Sequence, residues 1–90
     1  MTPPPAVTDR LLAFVTQKFP LARKRQLGID DPLLESGIVD SLGVLDVVSF
    51  IETEFGVQMV DEELVPDTFR TLRSVGHLVM SKLAAMEEKG

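Results

Sequence analysis

The chain has no cysteine and a single histidine, His77. Disulfides are therefore excluded, and so are metal sites built on thiolates or on a histidine cluster. Also absent is any apolar run near the ~20 residues that a membrane span needs. The opening run, Met1-Thr2-Pro3-Pro4-Pro5, has neither the basic start nor the apolar stretch of a signal peptide. It is expected to form part of a short disordered lead over residues 1–7. Together these absences set a cytoplasmic expectation. With 90 residues the chain has room for one small domain, expected over residues 8–87 with a tail at 88–90. A chain of this length buries only about 60–65% of its unfolded surface, so its core is thin. Hydrophobic residues make up 44% of it, enough for packing and too many for global disorder.

Positive charge is missing from the middle. Residues 30–67 hold eleven acids and neither lysine nor arginine. Residues 1–29 carry +4 and residues 68–90 carry +2, which leaves a net charge of −5. The base-free stretch should repel nucleic acid and anionic membranes and attract basic partners. Arg23-Lys24-Arg25 is the only support for a nucleic-acid-binding helix-turn-helix, and the acidic stretch opposes it. The acidic run Asp61-Glu62-Glu63 lacks the alternating ligands and central glycine of a calcium loop. No acid/base or nucleophile constellation stands out, so a non-enzyme is expected.

Three segments repeat their apolar residues at helical spacing, which predicts an all-α fold. In the first, Leu11, Leu12, Phe14, Val15 and Phe19 share a face, Thr8 is a candidate N-cap, and Pro20 ends the helix. The second runs from about Ser41 to Phe55, between an Asp40 cap and Gly56, with Val44, Val47, Val48, Ile51 and Phe55 inward. The third runs from about Leu72 to Glu87, capped by Thr71, with Leu72, Val75, Val79, Leu83 and Met86 on one face. A short helical turn is expected at Asp61–Pro66, with Leu64 and Phe69 pointing inward. Residues 20–40 form a long connection that Leu27, Ile29, Leu33, Leu34, Ile38 and Val39 can pin to the core. The predicted architecture is a small four-helix bundle of three main helices and one short one, with a long loop after the first.

The solvent side of the second helix is unusual. Leu42, Leu45 and Phe50 point away from its core stripe, beside Asp46, Ser49 and Thr53. Either some of these apolar residues pack beneath the long loop, or they anchor a docking face with an acidic rim. Gly43 lowers the bulk at the start of this helix, where something could approach closely. Ser41 is the first residue after the Asp40 cap, beside N–H groups that favour a phosphate. A small module docking non-covalently through this helix is the alternative that the composition leaves open.

The run Leu34-Glu35-Ser36-Gly37-Ile38-Val39-Asp40-Ser41-Leu42 resembles the attachment motif of the acyl and peptidyl carrier proteins. The likeness continues through Glu52–Gly56, Asp61–Leu64 and the stretch from Thr68-Phe69 to Val75, covering about residues 8–85. The resemblance implies that a phosphopantetheinyl transferase, with Mg²⁺, attaches 4′-phosphopantetheine from coenzyme A to Ser41. Cargo then rides as a thioester on the arm, and partners read Asp40, Leu42, Leu45, Asp46, Ser49 and Phe50. Carriers of fatty acid synthesis often have an acidic residue where Gly43 stands, and Leu45 and Phe50 make this face more apolar. That departure points to a free-standing, monomeric carrier of a specialised pathway. An adenylate-forming ligase would load it with an acyl or aminoacyl group, and a synthase or transferase would unload it.

Overall fold

The computed structural model describes residues 6–89 and is helical, with no strand among those residues. Helix α1 spans Ala6–Lys18, α2 Pro20–Lys24, α3 Ser41–Phe55 and α4 Leu72–Lys89, with a 3₁₀ turn at Asp61–Glu63. Helix α1 touches each of the other three helices, and α3 also packs on α4.

The core draws on all four α-helices. Leu11 and Val15 of α1, Val47 and Ile51 of α3, and Leu72, Val75 and Val79 of α4 are fully buried. Leu27, Leu33, Ile38 and Val39 are buried and bring the long connection down onto them, with Ile29 and Leu34 half-buried against the core. Backbone bonds lock it there: Leu33 N–H donates to Arg70 C=O at 2.9 Å, and Arg73 N–H to Ile29 C=O at 2.9 Å. The second bond satisfies a first-turn donor of α4 that no intrahelical carbonyl can reach.

Several local expectations meet a different structure. Thr8 lies inside α1, not at its cap, and Ala6 and Val7 are already helical; residues 1–5 of the expected lead lie outside the described residues. Pro20 ends α1 and also starts the five-residue α2, where a residue lacking N–H costs nothing. The connection therefore opens with a helix whose only buried residue is Ala22. Gln26 follows in the left-handed region at φ 55°, and Leu27 N–H closes onto Ala22 C=O at 2.9 Å. Phe69 is buried as expected, but Leu64 stays exposed. Met86 is exposed as well, because the end of α4 runs past the elements that could cover it.

Helix α3 follows its local chemistry. The Asp40 carboxylate accepts from Gly43 N–H at 2.7 Å, and Gly56 ends the helix at φ 69° with its N–H on Glu52 C=O. Thr71 and Ser74 cap α4 reciprocally, each side chain accepting from the other's N–H at 3.1 Å.

Candidate functional site

Ser41 is the first residue of α3 and is exposed. The Asp40 cap takes the N–H of Gly43, leaving those of Ser41 and Leu42 without a partner among the described residues. A fifteen-residue helix thus presents its positive end beside the Ser41 hydroxyl. Next to it opens a groove of about 270 Å³ lined by Leu34, Ser41, Val44, Leu45, Leu64, Val65, Pro66 and Phe69. No lining residue is charged. Leu64 lines this groove together with Val65 and Pro66 and is not part of the core. The apolar Leu64-Val65-Pro66 run after the acidic triad is the sequence signal for this wall, and it is a weak one.

The residues expected to form a docking face divide into two groups. Leu42 and Leu45 are 75% and 58% exposed, far more than a leucine that merely borders a core. Asp46 and Ser49 are exposed beside them. Phe50 is half-buried: it stacks on Phe14 of α1 with centroids 4.3 Å apart, and meets Phe55 edge-on at 6.0 Å. The long loop does not cover Phe50; α1 does. Gly43 is also explained from within. It is buried, and a Cβ there would lie 2.8 Å from Cε1 of Phe19 and 3.1 Å from Cγ1 of Val39. The close approach expected at Gly43 is made by the chain's own Phe19.

Electrostatics sharpen the face. Each of the four salt bridges among the described residues joins an acid of the base-free stretch to a base outside it: Glu54 to Arg10, Asp67 to Arg70, Asp30 to Arg73 and Glu63 to Lys82. None uses Asp46 or Glu52; the Glu52 carboxylate instead accepts from Met59 N–H at 3.0 Å. Burial pushes the Glu63 carboxyl up, but hydrogen bonds from Lys82 and from Val60 N–H, with the Lys82 charge, outweigh it and hold the group below its ordinary value. The Arg73 hydrogen bond similarly lowers Asp30. His77 is exposed on α4. Among the described residues, no group of three or more His, Asp or Glu side chains is placed to hold a metal. No helix there is long and apolar enough to cross a membrane.

An exposed serine thus stands at the start of a capped helix and opens on an uncharged groove. Comparison with known proteins shows the family. Residues 9–79 match the family model described as "Phosphopantetheine attachment site". The chain is also 33% identical over 82 residues, covering 91% of it and 93% of the relative, to "Probable acyl carrier protein PigG" of Serratia sp. (strain ATCC 39006). The chain belongs to the phosphopantetheine attachment family. It is a carrier protein with covalent 4′-phosphopantetheine as its cofactor, and not an enzyme.

The residues present fit that group. A phosphodiester on the Ser41 oxygen would lie beside the unpaired N–H groups of the first turn. The groove offers apolar walls to whatever extends from it. The arm, when attached, supplies the thiol that a chain without cysteine lacks.

Proposed function

We propose that Ser41 is the attachment residue and that the chain carries an acyl or aminoacyl group as a thioester between partner enzymes of a specialised pathway. The observation that supports it best is the placement of Ser41: exposed, at the N-terminus of α3, beside an uncharged groove. In the loading step the Ser41 hydroxyl gives up its proton and gains the phosphopantetheinyl group of coenzyme A, whose nucleotide half leaves. A phosphopantetheinyl transferase with Mg²⁺ performs it, and an adenylate-forming ligase then charges the thiol. A synthase or transferase takes the cargo off, and the tether makes that delivery effectively intramolecular once the partner docks.

Docking falls to α3. Leu42 and Leu45 are the apolar anchors, Asp40, Asp46 and Ser49 the polar rim, and Phe50 supports the face from below through its stack on Phe14. Basic partner surfaces complement it. The name of the Serratia relative favours an acyl cargo. The protein acts as a cytoplasmic monomer.

The test is intact mass after incubation with coenzyme A, Mg²⁺ and a phosphopantetheinyl transferase of broad specificity. A gain of one phosphopantetheine that vanishes in Ser41→Ala is the expected result. An unchanged wild-type mass would leave the chain a non-covalent docking module.

A further inference from the structure

We infer that Ser36 and Arg25 are positioning residues that hold the segment ending in Ser41 in the shape its modifying transferase acts on. The inference rests on Ser41 being the attachment residue. Ser36 lies half-buried within the attachment motif but has no part in the chemistry. Its hydroxyl donates to Leu33 C=O at 3.1 Å and accepts from Ile38 N–H at 3.2 Å. Its own carbonyl accepts from Arg25 Nη1 at 2.9 Å. Gly37 then turns the chain at φ 79°, and Val39 N–H returns to Leu33 C=O at 3.1 Å.

These bonds close a ring from Leu33 to Val39, and the ring is fixed at both ends. Leu33 is buried and bonded to the Arg70 carbonyl, while Ile38 and Val39 are buried. Asp40, the cap of α3, is the next residue. Ser41 therefore sits two residues beyond a knot whose centre is the Ser36 hydroxyl. The chain from Ser36 to Ser41 reaches at most about 18 Å even when extended, so a shift in the ring is passed on to Ser41 and little of it is absorbed. Group transfer is sensitive to such shifts: a misplacement of ~1 Å can cost about a hundredfold in rate.

Arg25 ties the ring to α2. It is the C-cap residue of that helix, between buried Ala22 and buried Leu27, so its guanidinium starts from a fixed base. A charged donor makes the stronger kind of hydrogen bond to the Ser36 carbonyl. This gives α2 a role, and it gives one member of the Arg23-Lys24-Arg25 run a task within the chain.

The experiment is steady-state loading of the apo-protein by a broad-specificity phosphopantetheinyl transferase, alongside thermal melts. Ser36→Ala is expected to lower kcat about tenfold while KM for the carrier stays within about twofold, because the α3 docking face is untouched. Ser36→Asn should restore most of the rate, since its amide can accept from Ile38 N–H and donate to Leu33 C=O. Arg25→Gln, on an exposed side chain, should lower kcat about threefold with little loss of Tm. Leu83→Ala, on α4, is the control for lost stability alone and should load at the wild-type rate. The proposal is overturned if Ser36→Ala keeps the wild-type kcat, if Ser36→Asn is as slow as Ser36→Ala, or if Leu83→Ala loses rate in step with its Tm. A wild-type protein that takes up no arm defeats the assignment of Ser41 itself, and this proposal with it.

Discussion

Phe14 of α1 lies flat against Phe50 of α3, with ring planes 12° from parallel. The pair makes α1 the floor beneath one end of α3, and Phe19 meets Phe14 edge-on at 6.5 Å to extend it. Phe50 therefore belongs to the fold first. Phe50→Ala should lower unfolding free energy by about 2–3 kcal/mol, short of a fully buried phenylalanine because the ring keeps one open edge. Urea unfolding measures it, and a loss under about 0.5 kcal/mol would return Phe50 to the solvent face.

Leu42 and Leu45 should behave in the opposite way. With little to lose on the folded side, Leu42→Ala and Leu45→Ala are expected to shift Tm by no more than about 2 °C. The same changes should weaken capture by the loading ligase about tenfold, as expected of apolar anchors at an interface centre. A panel of holo-variants assayed for ligase KM separates the two effects.

Much of α3 was legible because its ends are local chemistry. Asp40 and Gly56 name their positions by residue type, and the Val47–Ile51 stripe follows from helical period alone. What lay beyond the sequence was tertiary. Pro20 signals a stop and a start equally well, and α2 has too few residues to show a stripe. Phe50 points away from Val44 on the helix, yet α1 crosses at that point and covers it. The motif itself marked Ser41, whereas the groove beside it needs Leu34 and Leu64–Pro66, which the fold gathers from separate loops.

Gly43 tests close packing against propensity. Gly43→Ala gains about 0.5–1 kcal/mol of helix propensity, but its Cβ overlaps the Phe19 ring, and overpacking costs about 1–3 kcal/mol. The net expectation is destabilisation by about 1 kcal/mol. In a Phe19→Ala background the same change should become neutral or stabilising, and a double-mutant cycle reads the coupling. Additive effects would show that Phe19 is not what excludes a side chain.

Acid should uncouple the 3₁₀ turn from α4. The Glu63 carboxyl, held low by Lys82 and Val60, titrates below its unfolded value. Its contribution is thus present above the unfolded pKa of about 4.3 and fades as pH falls through the folded one. Wild type should melt above Glu63→Gln at neutral pH, and the gap should close on acidification below about pH 4. A gap that widens on acidification would have the wrong sign for this pair.

Salt should act in two directions. Seven of the eleven acids in residues 30–67 have no ion-pair partner among the described residues, so their mutual repulsion loads the fold. Moderate salt should raise Tm while weakening association with a basic partner. A Tm that falls on adding salt would mean that the four bridges outweigh the repulsion.

The central claim concerns one oxygen atom, and the most direct measurement reads it. Fragmentation mass spectrometry of the protein recovered from cells that make it should place phosphopantetheine on the peptide containing Ser41, on Ser41 itself, with Ser36 and Ser49 unmodified. An arm on another serine, or unmodified protein from cells that hold an active transferase, would contradict the account.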